Sequence, residues 1–232
     1  MPKTSPNRQL PNAELQAGSE RYCHRFGRPF DSRLDYQRIV SCRHTSRRIA
    51  AAYEAAPVLD RTAVPAYRRF REETWWQLDF LTRPRARGGL GFTVVISPLD
   101  PYRNVRELLA ELADRRLRIW ASAGCGNPHP WLSEHDNDAF RAVHDGFGHG
   151  ATGRGFDPDG EEAAWWKHAA LYSPLARRAL LTETRGQTCA LFEGPQVGFA
   201  PQKAVLLDPR FADRRTLHLD AGCDGRCVKW AA

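Results

Sequence analysis

The amino-acid sequence predicts an α+β fold in which a mainly helical single domain carries a small sheet. Two observations support this prediction. Apolar residues recur at helical spacing in several stretches along both halves of the chain. Between those stretches, at about residues 90–122, two short apolar runs flank one amphipathic segment and predict a strand–helix–strand unit.

The N-terminal third is predicted to contain a tail and two helices. Residues 1–20 are polar and hold almost no large apolar side chain, so we expect them to be disordered. A first helix is predicted from Asp31 or Ser32 to about Ala56. Pro65 suits the first turn of a second helix, which runs to about Leu81. Residues 21–232 would therefore form the single folded domain.

The predicted sheet lies near the middle of the chain. The run from Leu90 to Ser97 is rich in β-branched residues, which is typical of a buried strand. Residues 104–115 form a short amphipathic helix, and residues 117–122 form the second strand. Connection of two strands through a helix is typical of parallel pairing.

The C-terminal half is predicted to be helical at 137–147, 160–172 and 174–192. The pair Ser173-Pro174 is a helix cap followed by a first-turn proline. The apolar stripes of the three helices require a common core, so we expect them to pack together. After about residue 194 the pattern becomes irregular and predicts a tail that wraps the core.

Charge and composition limit the classes of binding partner that the sequence predicts. Residues 1–72 carry 14 Lys+Arg against 7 Asp+Glu, whereas the rest of the chain carries 20 of each and is neutral. Nucleic-acid binding is therefore disfavoured at the centre and stays an option only for the basic N-terminal third. No apolar run approaches the length of a membrane span, and the first residues lack a secretory signal, so we expect no membrane contact and a cytoplasmic location. Cys223 and Cys227 are close in sequence, but their role is open.

The stretch from His135 to His149 contains three of the eight histidines of the chain. Within it, His144 and His149 are the favoured metal ligands. On an unbroken α-helix, residues five apart diverge by about 140°. We expect Gly146 and Gly148 to end the helix, so that His149 turns back towards His144. Zinc proteases of the common helical type place their two histidines four apart, so that class is disfavoured.

Two later helices supply further candidates. Glu161 and His168 are seven residues apart and share a helical face, as do Glu183 and Gln187, which are four apart. Glu162 is expected to serve mainly in the cap of its helix. Because each helix has an apolar face to bury, these polar side chains should meet in the interior, where they require a partner or a metal ion. Purely structural histidine–carboxylate pairing is the alternative.

The segment His-Asp-Gly-Phe-Gly-His at 144–149, followed by Glu183 in Leu-Thr-Glu-Thr-Arg-Gly, resembles the iron site of the pterin-dependent aromatic amino acid hydroxylases. The resemblance implies an iron site built from His144, His149 and Glu183. It covers a short motif, and Asp145 stands where that family has glutamate. The chain has no counterpart of the family's pterin-binding segment, so the resemblance supports iron more than it supports a pterin.

We therefore expect a non-haem iron oxygenase or related oxidoreductase that acts on dioxygen and a small-molecule substrate. Fe(II) would bind to His144, His149 and Glu183. Glu161 and His168 would move protons or help to bind a second ion. Asp145 would accept a hydrogen bond from a ligand imidazole. The residues expected to contact the substrate are Phe147, Trp165 and Gln187.

Two other functions stay open from the sequence. His135-Asp136 and His144-Asp145 are His-Asp pairs, which bind water-activating metal ions in helical phosphohydrolases. Alternatively, the chain is a non-enzymatic assembly or nucleic-acid-associated protein that uses its basic N-terminal third. Metal content separates the three: iron favours the oxygenase, a mixture of Mn, Mg or Zn favours the phosphohydrolase, and no metal favours the third.

Overall fold

A computed structural model of the chain describes residues 7–196 and 198–220. Helices dominate this part, which confirms the predicted mainly helical α+β fold. The α-helices are α1 (Ala13–Arg25), α2 (Arg43–Ala55), α3 (Val64–Thr82), α4 (Val105–Ala113), α5 (Glu134–His144), α6 (Pro158–Ala169), α7 (Pro174–Leu181) and α8 (Gln187–Glu193). Two π-helical segments interrupt this pattern. The first, Asp145–Gly150, extends α5, and the second, Thr182–Gly186, joins α7 to α8.

The central sheet has the predicted strand–helix–strand form. Strands β2 (Thr93–Ser97) and β3 (Arg116–Trp120) pair in parallel, and α4 connects them. Their register runs from Thr93 opposite Arg116 to Ser97 opposite Trp120. The sheet packs on α4 and α5, so it forms one wall beside the histidine-rich segment.

Helix α3 is the central helix of the bundle and packs against α5 and α7. Its buried residues include Tyr67, Phe70, Gln77 and Leu81, which recur at helical spacing. The ring of Phe70 lies 5.0 Å from that of Phe140 on α5, measured between ring centroids. The apolar stripes of α3 and α5 therefore enclose the space in which polar side chains of α3, α5 and α6 meet.

The three helices predicted for the C-terminal half are confirmed, with different starting residues. Helix α5 begins earlier than expected because Ser133 caps it. The Ser133 hydroxyl accepts from the Asp136 N–H at 3.1 Å and donates to the Asp136 carboxylate at 2.7 Å. Helix α6 begins after Asp157, which accepts from the Gly160 N–H at 2.8 Å. The cap of α6 is therefore independent of Glu162.

The prediction that residues 1–20 are disordered is wrong for the described part of that segment. Asn12 caps α1 by accepting from the N–H groups of Glu14 and Leu15. Helix α1 then buries Leu15 completely, against the first π-helical segment. Its five buried residues form one stripe: Leu15, Gly18, Ser19, Tyr22 and Cys23. Because Gly18 and Ser19 are small and not apolar, this stripe is hard to detect in the sequence.

The predicted helix from Asp31 to Ala56 is also corrected. Only Arg43–Ala55 is helical. The residues before it form a short strand, β1 (Ile39–Val40), which pairs antiparallel with β4 (His218–Leu219) near the end of the described chain. Long-range pairing with the tail therefore overrides the local helical preference of this stretch.

The C-terminal tail wraps the core, as predicted. Lys203 is buried in it, and its Nζ donates to the carbonyl oxygens of Tyr53, Glu54 and Ala56 at 2.6–2.9 Å. These carbonyl groups lie at the C-terminal end of α2, where a lysine side chain commonly donates hydrogen bonds to the last carbonyls. Cys223 and Cys227 lie outside the described residues. Within the described part of the chain, no helix combines the length and the hydropathy that a membrane crossing requires.

A buried ion pair connects α6 to the second π-helical segment. Arg185 donates to both carboxylate oxygens of Glu162, from Nε at 2.8 Å and from Nη2 at 2.5 Å. Both side chains are at least nine-tenths buried. The expectation that Glu162 mainly caps its helix is therefore wrong, because its carboxylate neutralises an arginine in the core.

We predict that Glu162→Ala lowers the free energy of unfolding by about 3–5 kcal/mol, because it leaves the Arg185 guanidinium buried without a counter-charge. Urea denaturation of the two proteins measures this difference. The matched control is Glu161→Gln, one residue away on the cavity side of α6, which should change the stability of the metal-free protein by less than about 1 kcal/mol. A Glu162→Ala loss as small as that of the control would contradict a structural role for the pair.

Candidate metal centre

The first π-helical segment brings His144 and His149 together. In a π-helix the backbone bonds run from residue i to i+5, and the Ala151 N–H donates to the Gly146 carbonyl in this way. Residues five apart therefore lie on the same side of the helix, instead of diverging as they would on an α-helix. The two imidazole rings are 5.0 Å apart between centroids and nearly perpendicular. The helix widens where the sequence predicted that it would end.

Glycines permit this close packing. A Cβ atom on Gly148 would lie 3.1 Å from the Ala164 Cβ and 3.3 Å from Nδ1 of His144. The bare backbone at Gly148 therefore lets α6 approach the first π-helical segment. That approach carries Glu161, in the first turn of α6, to the two histidines.

Glu161 completes a cluster of three ligand atoms. Its Oε2 lies 3.7 Å from Nε2 of His144, and its Oε1 lies 3.6 Å from Nε2 of His149. One ligand atom of each residue falls within 4.8 Å of the others. Atoms that each lie about 2.1 Å from a common ion, at angles of about 90–120°, are about 3.0–3.6 Å apart. The cluster is therefore able to hold a metal ion after a small contraction.

Hydrogen bonds fix the tautomer of each histidine ligand. Nδ1 of His149 lies 3.0 Å from the Arg154 carbonyl oxygen, which can only accept, so Nδ1 carries the hydrogen and Nε2 keeps its lone pair. Nδ1 of His144 lies 3.3 Å from Nδ1 of His168, and Nε2 of His168 lies 2.9 Å from Oε1 of Gln77. With the Gln77 oxygen accepting from His168, His144 donates through Nδ1. Its Nε2 lone pair then faces Glu161.

Burial sets the ionisation of the cluster. Burial lowers the pKa of His149 and, still further, that of His168, so both imidazoles are neutral at physiological pH. For Glu161, burial opposes ionisation, but the neighbouring His149 and His144 outweigh it and lower the pKa of the carboxyl group. Neutral imidazoles and an ionised carboxylate are the forms that bind metal. Burial also raises the pKa of Asp145 to about 7.

A cavity of about 610 Å³ opens beside the cluster. His144, His149 and Glu161 line it together with Asp145 and Gln187. Its aromatic walls come from Tyr102, Trp120, Phe140, Phe156 and Phe199. A partly apolar cleft of this size, with a few polar groups, suits a small-molecule ligand.

The structure corrects the assignment of Glu183. This residue is not a member of the three-residue cluster; Tyr67 donates to its Oε1 at 2.5 Å, and Nε2 of His129 lies 3.0 Å from the same oxygen. Glu161, expected to move protons, takes the third position of the cluster instead. His168 packs behind His144 as its hydrogen-bond partner. The seven-residue spacing of Glu161 and His168, which places them on one face of α6, is the sequence feature that points to both residues as members of the site.

Three other expectations about the site are also corrected. Phe147 and Trp165 are fully buried in the core and do not line the cavity, so Gln187 is the one member of the predicted substrate set found on its wall. Asp145 lines the cavity, but the Nδ1 atoms of His144 and His149 face His168 and Arg154, so Asp145 does not orient a ligand imidazole. Sequence reasoning also gave no role to His129 or Tyr67.

Neither His-Asp pair brings both of its side chains to the three-residue cluster. Asp136 accepts from Arg71 at 2.8 Å and from the Trp75 indole at 2.9 Å, and the His135 ring packs on Trp75. Asp145 does not belong to the ligand cluster. Among the described residues, the carboxylate of the cluster comes from a glutamate on a different helix.

We predict that Gln77→Leu weakens Zn(II) or Co(II) binding by about 10–100-fold, because His168 then no longer fixes the Nδ1 hydrogen of His144. Competition against a chelator measures the affinity. Thr74→Val, one turn earlier on α3, is the matched control, because it removes a buried hydroxyl that bonds Tyr172 but does not touch the histidines. Equal metal affinities of Gln77→Leu and the unaltered protein would show that the hydrogen-bond chain from Gln77 through His168 does not orient His144.

Comparison of the chain with protein-family models, with curated proteins and with solved structures gives no match. The chemistry of the chain therefore has to be inferred from its own residues. The cluster of His144, His149 and Glu161 on the wall of the cavity is the principal observation available for that inference.

Proposed function

We propose that the chain is a mononuclear non-haem iron oxygenase or related oxidoreductase, with Fe(II) bound by His144, His149 and Glu161. The observation that carries the proposal is the convergence of two Nε2 lone pairs on one carboxylate at a cavity wall. Two histidines and one carboxylate on one side of an ion leave open positions for dioxygen and substrate, which is the arrangement of many Fe(II) oxygenases.

The choice of iron over zinc has two supports. Catalytic zinc also binds to two histidines and a glutamate, so the donor set alone fits both ions. The resemblance of residues 144–149 to the pterin-dependent hydroxylases favours iron, with Glu161 in place of Glu183. The aromatic walls of the cavity suit a substrate with an apolar body, whose oxidation requires less activation by charged groups than hydrolysis of a phosphate ester would. No pterin enters the proposal, since the resemblance now covers the two histidines alone.

We propose one ion and not two, because a single cluster of three metal-ligating side chains is found among the described residues. Glu183 and His129 form a second histidine–carboxylate pair, but Nδ1 of His129 accepts from the backbone N–H groups of Trp131 and Leu132, at 3.0 and 2.7 Å. The hydrogen of a neutral His129 is then on Nε2, the atom that faces Glu183. That nitrogen has no lone pair to offer a metal.

When bound, Fe(II) would supply the activation of dioxygen that protein side chains cannot. The residues of the chain supply the rest. His168 and Gln77 orient His144, and the Arg154 carbonyl orients His149, which holds both lone pairs towards the ion site. The aromatic side chains give the substrate space partly apolar walls, which suit the apolar body of a substrate.

The basic N-terminal third gives little support to a nucleic-acid function. Arg43 and Arg47 both pair with Glu193, and Arg28 and Arg69 both pair with Glu73. Each of these arginines has a glutamate partner within the protein, so part of the positive charge of this region is offset. We therefore put forward no second function.

We predict that protein reconstituted anaerobically with Fe(II) binds iron stoichiometrically, and that His144→Ala, His149→Ala and Glu161→Ala each lose it. Removing one of three protein ligands leaves too few donors for a stable site. Glu183→Ala is the matched control, because it removes another carboxylate of the same cavity and should keep its iron. Iron analysis of the desalted protein, with absorption spectra on exposure to oxygen, measures the outcome.

Two results would contradict this proposal. Loss of iron from Glu183→Ala but not from Glu161→Ala would show that Glu183, and not Glu161, is the third ligand. Stoichiometric zinc that Fe(II) cannot replace would make the chain a zinc enzyme instead.

A further inference from the structure

Glu183 is a buried carboxylate that the metal site does not use. It lies in the second π-helical segment, is 4% exposed, and lines the same cavity as the metal cluster. Both of its hydrogen bonds, from Tyr67 and from His129, end on Oε1. Within the described part of the chain, no group donates to Oε2. Glu183 therefore has one oxygen held by the protein and one oxygen free to bind a ligand.

Glu183 also differs from the other buried acids in charge. Among the described residues four acidic side chains are buried, and three of them pair with arginine. Glu73 pairs with Arg28 and Arg69, Asp136 with Arg71, and Glu162 with Arg185. Glu183 forms no ion pair with a described lysine or arginine. A buried charge without a counter-charge is unfavourable.

His129 does not supply the missing charge. Its Nδ1 accepts two backbone hydrogen bonds, so it carries no hydrogen there, and the ring is the neutral tautomer with a hydrogen on Nε2. Tyr67 is also neutral, because burial raises its pKa well above the usual value. Two neutral donors thus fix the position of the carboxylate and leave its negative charge facing the cavity.

Two arginines line the cavity. Arg103, at the exposed rim, pairs with Glu107 at 3.1 Å. Arg141 also lines the cavity. Neither arginine forms an ion pair with Glu183 in the part of the chain that the structure describes. A cationic ligand in the cavity would supply the counter-charge for Glu183.

We propose that Glu183 binds a protonated amino group of the substrate, and that the substrate is a small amine with an apolar or aromatic body. The ammonium group would donate to Oε2, and the aromatic walls would contact the body. This inference rests on the proposed function in one respect, that the cavity is the substrate site. It gives Glu183 a role in substrate binding, separate from metal binding.

We predict that benzylamine binds at least about tenfold more tightly than benzyl alcohol, which has the same body without the charge, because hydrogen bonds to charged groups contribute more. Benzoate, of opposite charge, should bind more weakly than either. Glu183→Gln keeps the shape of the side chain and should abolish the preference for benzylamine. Calorimetric titration at pH 7, on Zn(II)-loaded and metal-free protein, measures all three probes.

Asp100→Asn is the matched control. Asp100 lines the exposed rim of the same cavity, so this change removes one negative charge without touching Glu183, and the preference for benzylamine should persist. Thermal unfolding shows whether Glu183→Gln is folded. If it is not, the ranking of the three probes on the unaltered protein decides the question.

Three results would overturn the inference. The first is equal affinity for benzylamine and benzyl alcohol, and the second is an unchanged preference for benzylamine in folded Glu183→Gln. The third is tightest binding of benzoate, which would indicate that Arg141 binds a carboxylate of the substrate. Iron content, measured on a separate portion of the same protein that is reconstituted anaerobically with Fe(II), separates this inference from the proposed function. A preference for benzylamine in a protein that does not bind iron would support the amine subsite and contradict the oxygenase proposal. Iron binding without a preference for benzylamine would support the oxygenase proposal and contradict the amine subsite.

Discussion

The candidate centre depends on one backbone feature, the π-helical segment that follows α5. An α-helical continuation would direct His144 and His149 to different sides of the helix, whereas the wider turn places both beside Glu161. The widened turn is held by close contacts that only glycine permits. A Cβ atom on Gly150 would meet Leu112 at 2.7 Å and Leu15 at 2.9 Å, so the bare backbone packs directly on α4 and α1. The core and the site therefore share one set of contacts.

Buried carboxylates are paired with arginines where they lie between packed helices, but not where they line the cavity. In the framework, arginines neutralise the buried acids and join elements that are distant in sequence, as Arg185 does with Glu162. At the cavity, Glu161 faces two neutral imidazoles and Glu183 faces two neutral hydroxyl and N–H donors. Both carboxylates lack a cation from a described residue within ion-pairing distance. A metal ion at one end of the cavity and an ammonium group at the other would complete this charge balance.

The two π-helical segments have parallel roles. The first carries His149, and the second carries Glu183, and both residues line the cavity. π-helical turns are rare, and they occur often at functional sites because they redirect side chains at a cost in backbone stability. Here the cost is offset by packing, since both segments are buried between α-helices. The second segment also contains Arg185, so its position is fixed by the ion pair with α6.

The sequence alone determined the fold class, the parallel strand–helix–strand unit, the C-terminal helices and the residues from which the site is built. These features follow from hydrophobic periodicity, capping residues and side-chain chemistry, which are local properties. Tertiary structure alone decided which carboxylate meets the histidines. Glu161 and Glu183 are both acidic, both helical and both in the interior, and only the approach of α6 over Gly148 distinguishes them. Tertiary structure also determined that α1 is ordered and that β1 is a strand, since Leu15 is buried by distant helices and Ile39 pairs with the tail. A contact between residues far apart in sequence leaves no periodic signal in either of them, so it could not be predicted from the sequence.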